Sequence, residues 1–148
     1  ADLVRVTRPG GRIVIGNWIP GDPTLIAQVL KTSAAYTPPP PDGFVSPLTW
    51  GVEANVRERF GVAGMPEGNI SCEPATYVFR HPAPPRDLLQ TFKQYYGPTM
   101  NAFEAAAKDG RAEQLEAELT RLFEDHNRAG PDATEIPATY LKVVVTAP

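Results

Sequence analysis

The residues of this chain that could perform acid–base, metal or thiol chemistry are few and widely spaced. His81 and His126 are the only histidines, and Cys72 is the only cysteine. No carboxylate cluster accompanies them at metal-ligand spacing, and no Gly-x-Ser-x-Gly or Cys/His signature of a nucleophilic enzyme is present. The sequence therefore predicts no metal site and leaves the catalytic residues unknown.

Each of these three residues has a structural interpretation. Cys72 is expected as a small buried side chain in a strand, and a lone cysteine excludes an internal disulfide. His81, which precedes Pro82, is expected in a loop. His126 is expected near the C-terminus of a helix, where a partial positive charge is favourable.

Composition limits the class of protein. The chain has 148 residues, enough for one domain with a real core, and a single domain over residues 1–148 is expected. Hydrophobic residues make up 42% and charged residues 21%, which is ordinary globular usage. The net charge of −3 and the scattered basic residues argue against nucleic-acid or membrane-surface partners. No apolar run approaches the roughly 20 residues of a membrane span, so a cytoplasmic location is predicted.

Three segments have the pattern of strands. A helix tail, Asp2–Val6, leads through a Pro9-Gly10-Gly11 turn into Ile13-Val14-Ile15, a β-branched run that predicts a strand buried on both faces. Ile70–Arg80 is a second predicted strand, and Pro74 inside it favours a sheet edge or a bulge. Tyr140–Thr146 is apolar on both faces, which predicts a central strand.

Four further segments have helical periodicity. Asp22 is the predicted N-cap of a short helix that has Pro23 at its first position and ends near Lys31. Apolar residues at four-residue spacing predict a second helix that ends at Gly61. The other two predicted helices are 87–107, with a break at Gly97-Pro98, and 112–127.

Several stretches carry a family resemblance: Arg8–Gly11, Asn17-Trp18, Ser46–Gly51, Phe92–Thr99 and Phe123–Gly130. Together with the strand pattern, they resemble the C-terminal half of class I S-adenosylmethionine-dependent methyltransferases of the ubiquinone/menaquinone-biosynthesis type. That family has a Rossmann-like α/β sheet in the order 3-2-1-4-5-7-6. Arg12–Asn17, Ile70–Arg80 and Tyr140–Thr146 match its fifth, sixth and seventh strands. The resemblance implies a mixed three-stranded sheet, with the last strand antiparallel and central, and helical additions.

The cofactor-binding elements of that family have no counterpart in this sequence. The glycine-rich turn after the family's first strand is missing, and so is the acidic residue that ends its second strand. The resemblance implies S-adenosylmethionine as the cofactor of the complete protein. No cofactor-binding residue is predicted here, and the chain alone is expected to be inactive.

The resemblance also implies an acceptor pocket at the carboxyl end of the first strand, where open α/β sheets bind ligands. Asn17, Trp18 and Pro20 leave that end, and Trp50, Tyr95 and Tyr96 are candidate apolar walls for a small-molecule methyl acceptor. For Trp18, pocket lining and core packing both remain open. For Tyr95 and Tyr96, the spacing from Phe92 favours core packing.

Two functional hypotheses follow. In the first, the chain is the acceptor-side half of a small-molecule methyltransferase. In the second, it is a non-catalytic α/β oligomerisation or interaction module. The strand Arg12–Asn17 lacks the fourth-strand neighbour of the family fold, so an unpaired edge predicts a homodimer through this strand.

Overall fold

The computed structural model describes residues 2–148, in which helical segments separate the strands. These residues form six α-helices, three strands and two short 3-10 helices, Pro47–Gly51 and Glu67–Asn69, so the α/β class is confirmed. In chain order the main elements are α1 (Asp2–Val6), β1 (Arg12–Trp18), α2 (Leu25–Ala34), α3 (Glu53–Val62), β2 (Ile70–His81), α4 (Pro85–Tyr95), α5 (Gly97–Lys108), α6 (Ala112–His126) and β3 (Thr134–Thr146).

The three strands form one sheet in the order β1-β3-β2. The predicted order is confirmed, with the last strand of the chain in the centre and β2, which contains Pro74, at an edge. The register joins Arg12 to Thr146 at one end of β1 and Trp18 to Tyr140 at the other. The last strand is antiparallel, as expected, and pairs with β1 in that direction. The three-stranded sheet as a whole is antiparallel, so the expected mixed sheet is wrong.

The expectation that β1 is buried on both faces is wrong. Ile13 is buried, whereas the next residue, Val14, is 63% exposed. Successive side chains of a strand point to opposite faces, so β1 has one covered face and one open face. On the covered face Ile13, Val143 and Val145 pack in a cluster with Val56 and Phe60 of α3.

Three helix boundaries differ from the prediction: both ends of α2, which reaches Ala34 rather than ending near Lys31, and the end of α3. The N-cap of α2 is Thr24, not Asp22. A carboxylate oxygen of Asp22 accepts the backbone N–H of Thr24 at 2.8 Å, so Asp22 and Pro23 form a turn before the helix. Helix α3 continues through Gly61 to Val62, and the positive φ of 87° that ends a helix falls at Gly64.

The other helical predictions are confirmed. The predicted break at Gly97-Pro98 separates α4 from α5, and the last helix spans Ala112–His126. Gly10 has a φ of +69°, as the Pro-Gly-Gly turn requires. No helix within residues 2–148 combines the length and the apolar character needed to cross a membrane.

The chain divides into two compact units, with boundaries inside β2 and β3. The sheet unit contains residues up to Pro20, Val45–Thr76 and Thr139–Pro148. The helical unit contains Gly21–Phe44 and Tyr77–Ala138, and its core is built by α2, α4, α5 and α6. Its largest fully buried side chains include Phe123, Leu25, Ile26, Leu89, Leu115 and Leu119. That residues 1–148 are one part of a methyltransferase domain stays a prediction.

Candidate functional site

Asn17 lies on the covered face of β1, opposite Leu141, one residue before the strand ends. Its side-chain Nδ2 is buried and has no hydrogen-bond acceptor among the described residues. A buried donor without an acceptor costs on the order of 1–3 kcal/mol, so native proteins leave few of them. The side-chain amide of Asn17 can therefore donate a hydrogen bond to an acceptor that the described residues do not supply.

Trp18 lies on the open face of β1. Its contacts bear on whether it packs in the core, one of the two interpretations that the sequence left open. Its ring meets Tyr140 edge-to-face, with centroids 6.2 Å apart. The Tyr140 ring also covers Gly16, where an added Cβ would lie 3.2 Å from a ring carbon. Trp18 is half-buried, so it belongs to an aromatic pair on the open face and not to the core.

The 3-10 helix Pro47–Gly51 packs directly on the end of β1. A Cβ on buried Gly51 would overlap the backbone carbonyl oxygen of Trp18 and would lie 3.1 Å from Cδ of Pro20. Only a glycine allows this close approach of two backbone segments. The structure thus brings Trp18, Pro20 and the turn that carries Trp50 together in the sheet unit.

Trp50 makes two contacts within the sheet unit, and the arginine in one of them is fixed by a hydrogen bond. Its ring meets Phe60 edge-to-face at a centroid distance of 6.2 Å. The guanidinium carbon of Arg59 lies 4.5 Å from the Trp50 ring centroid, and Nη2 of Arg59 donates to Oγ1 of Thr49 at 2.6 Å. Sequence reasoning missed Arg59 and Thr49, because their contact joins a helix to a 3-10 turn that hydrophobic periodicity did not predict.

Tyr95 and Tyr96 belong to the helical unit, at the end of α4. Tyr95 is 72% exposed, so the core interpretation favoured by its spacing is wrong for this residue. Tyr96 packs on Phe92 with ring centroids 5.2 Å apart. The change of direction between α4 and α5 separates the two neighbouring rings, and only Tyr96 continues the apolar side of α4.

His126 is the last residue of α6, as predicted, and lies between two carbonyl groups. Its Nδ1 is 2.8 Å from the carbonyl oxygen of Leu122, and its Nε2 is 2.9 Å from that of Pro23. Carbonyl oxygens only accept, so both contacts are hydrogen bonds when the ring is doubly protonated. His126 therefore joins the end of α6 to the turn before α2 and has a structural role.

The remaining groups singled out by the sequence give no reactive site. Cys72 is a half-buried residue of β2 that packs against the core, and burial raises the pKa of its thiol. A raised pKa leaves little thiolate at neutral pH, which is the reactive form. His81 ends β2 and is not in a loop. No group of three or more His, Cys, Asp or Glu within residues 2–148 has the arrangement of a metal site.

A cavity of about 730 Å³ in the helical unit has balanced charge. Lys108 is paired with Glu104 at 2.7 Å, and Arg111 with Asp109 at 3.3 Å. Burial raises the pKa of Tyr36 above its ordinary value, and the hydrogen bond to Glu118 acts in the same direction. The phenol stays protonated at neutral pH, so Tyr36 does not supply a base, and the charged lining residues are paired with one another.

No protein-family model matches this sequence. The chain is 30% identical over 130 residues to an uncharacterised protein of Mycobacterium bovis and to uncharacterised proteins of two strains of Mycobacterium tuberculosis. The aligned region covers 84% of this chain and 44% of each relative. The chain spans less than half the length of the curated relatives it matches.

Proposed function

We propose that this chain is the acceptor-side half of a class I methyltransferase that transfers a methyl group from S-adenosylmethionine to a small molecule. The order β1-β3-β2 carries the proposal. It places the last strand of the chain between the other two, as the seventh strand of that family lies between the fifth and the sixth. The full Rossmann-like sheet and a cytoplasmic location belong to the same proposal.

The end of β1 supports an acceptor pocket there. Asn17 has an unused amide donor at this end, and Trp18, Pro20 and Trp50 lie around the adjoining turn. Tyr95 and Tyr96, which belong to the helical unit, stay predictions from the sequence. Methyl transfer depends on positioning and on exclusion of water more than on strong acids or bases, so the scarcity of titratable groups agrees with this chemistry.

The residues present do not fit the cofactor itself. Of the glycines with positive φ, none lies in a glycine-rich turn between a strand and a helix; Gly21, which follows β1, stands alone before Asp22-Pro23. The cavity of the sheet unit has one carboxylate, Asp2, which is paired with Arg5 at 3.3 Å and faces no glycine. We therefore derive no step of the reaction through S-adenosylmethionine on this chain.

Calorimetric titration with S-adenosylhomocysteine tests the proposal. We expect no binding to the 148-residue chain, because the glycine-rich turn and the ribose-binding acid are missing, and micromolar binding to a full-length Mycobacterium tuberculosis relative. Absence of binding to the relative would contradict the proposed lineage. Transfer of a labelled methyl group by the chain alone would contradict its expected inactivity and leave the lineage standing.

A second function, association between copies, is favoured by the open face and free edge of β1. Within residues 2–148, β1 pairs with β3 on one edge and with no strand on the other. Val14 on the open face is 63% exposed. Such an edge is a template for another strand, so a homodimer in which Arg12–Asn17 pairs with its copy or buries its face against it is proposed.

Sedimentation equilibrium at micromolar concentration is expected to show a dimer that Val14→Lys converts to a monomer, because a charged amine cannot be buried in an apolar contact. Val62→Lys is the matched control, since Val62 is 87% exposed on α3, and it should leave the dimer intact. A monomeric wild-type chain would exclude this association, and so would a dimer that both variants retain.

A further inference from the structure

Arg59 has an unusual environment for an arginine of a surface helix. Its guanidinium lies over Trp50 and donates from Nη2 to Thr49. Within residues 2–148, no carboxylate lies within 4.0 Å of its nitrogens, and Nη1 is buried without an acceptor. A buried charged donor that lacks a partner costs more than a neutral one, so this nitrogen favours any acceptor that can reach it.

Arg57, on the same helix, has hydrogen-bond acceptors within the chain. Its guanidinium pairs with Glu53 at 2.8 Å, and Nη1 donates to the carbonyl oxygen of Ile70 at 3.3 Å. The bond to Glu53 raises the pKa of Arg57. The two arginines are separated by one residue, so the unused donor of Arg59 is a property of its own surroundings and not of the helix.

Arg59 lines a cavity of about 340 Å³ in the sheet unit. Arg59 is its one basic lining residue, and Asp2 is its one acidic residue. The Asp2 side chain is 89% exposed and is paired with Arg5, so it does not neutralise Arg59. The remaining walls are apolar and come from α1, the 3-10 turn and α3: Leu3, Val4, Trp50, Phe60 and Ala63.

We infer that this cavity binds a small carboxylic acid with an apolar body, its carboxylate on the guanidinium edge of Arg59. Trp50 covers a face of the guanidinium, and Nη2 already donates to Thr49. The in-plane N–H groups that remain for a carboxylate, the partner whose geometry they match, are those of Nε and of the buried Nη1, which the ligand reaches by displacing the wall that covers it. The apolar walls favour a hydrocarbon or aromatic body over a fully hydrated ion such as phosphate. The cavity is at the lower end of the usual size of ligand sites, which limits the ligand to a small one. This inference does not depend on the proposed methyl transfer.

Benzoate is the probe, and the Arg59 Nε–H signal in nitrogen–proton correlation spectra is the readout. We expect saturable benzoate binding that shifts this signal. Benzamide, which has the same shape and no charge, should bind about tenfold more weakly or worse, since hydrogen bonds to charged groups are the stronger ones. Inorganic phosphate should also bind at least about tenfold more weakly than benzoate, because it gains nothing from the apolar walls.

Two variants on α3 form the matched pair. Arg59→Gln should weaken benzoate binding about tenfold or more, followed on the Trp50 indole signal, whereas Arg57→Gln should leave it within about twofold. Asp2→Asn should leave binding unchanged or improve it, because it removes the one acid at the cavity. Equal affinity of the Arg59→Gln and Arg57→Gln variants would overturn the inference, as would no saturable binding to the wild-type chain.

A third variant keeps the test decisive if Arg59→Gln fails to fold, which circular dichroism detects. Ala63→Leu fills the cavity and leaves Arg59 in place, so benzoate binding should be lost while the far-ultraviolet spectrum is retained. Benzoate binding that persists in Ala63→Leu would place the ligand elsewhere. Phosphate binding as tight as benzoate binding would reduce the site to a general anion contact and overturn the assignment of an apolar acid.

Discussion

Phe123→Ala is expected to lower the free energy of unfolding by about 4 kcal/mol, the largest effect predicted for a single substitution in this chain. Phe123 has no exposed surface, and its ring meets Phe92 edge-to-face with centroids 5.2 Å apart. Truncation removes the buried ring and leaves a cavity among helices that already pack closely. Urea unfolding followed by circular dichroism measures the loss.

Phe103→Ala is the matched control for this change. Phe103 is half-buried, and its ring contacts the ammonium group of Lys93 at 4.5 Å from the centroid. Losing that contact and part of the packing should lower the free energy of unfolding by about 1 kcal/mol. If both substitutions had the same small effect, Phe123 would not be the centre of the helical unit's core.

Gly51→Ala is expected to lower the free energy of unfolding by about 3 kcal/mol, the upper end of the usual range for overpacking. The added methyl group would overlap the carbonyl oxygen of Trp18. That atom belongs to the backbone, so no change of rotamer relieves the overlap, and the 3-10 turn must move away from β1. The shift should also change the fluorescence of Trp18 and Trp50, which flank the contact.

Gly61→Ala, on the neighbouring helix, is expected to stabilise the protein, whereas Gly51→Ala destabilises it. A Cβ at Gly61 meets no atom within 4 Å, and the residue lies inside α3. Alanine has a higher helix propensity than glycine, so this change should raise the free energy of unfolding by about 1 kcal/mol or slightly less. If the Gly51→Ala variant unfolded at the same urea concentration as the wild-type chain, the 3-10 turn would not pack against β1 as described.

The order of the strands was predictable because local sequence signals agree with it. Pro74 has no backbone N–H and favours an edge position for β2, and the apolar run Val143–Val145 favours a central one for β3. The apolar run is the stronger signal, because central β3 also contains a proline, Pro137. The burial of β1 was not predictable from the same reasoning. Val14 is as apolar as Ile13, and which of them is covered depends on what packs on each face of the sheet.

The candidate site was predictable only in part. Asn17, Trp18 and Pro20 follow a strand, so their position at its end could be inferred from the chain. The unused donors of Asn17 and Arg59 could not, because a missing acceptor is a property of tertiary packing. The role of Trp50 depends on Arg59, and the contact between this helix and the 3-10 turn cannot be inferred from the apolar spacing that predicts the helix.

The register of the sheet has a consequence for how the protein is made. Arg12 pairs with Thr146, so β1 emerges from the ribosome long before the strand that completes it. At ordinary rates of translation the delay is on the order of ten seconds. Until β3 is synthesised, Ile13, Val14 and Ile15 lack their pairing with β3, and a sheet closed by such distant contacts forms slowly. We therefore expect the pairing of β1 with β3 to be among the last steps of folding, after the helices between the two strands have formed.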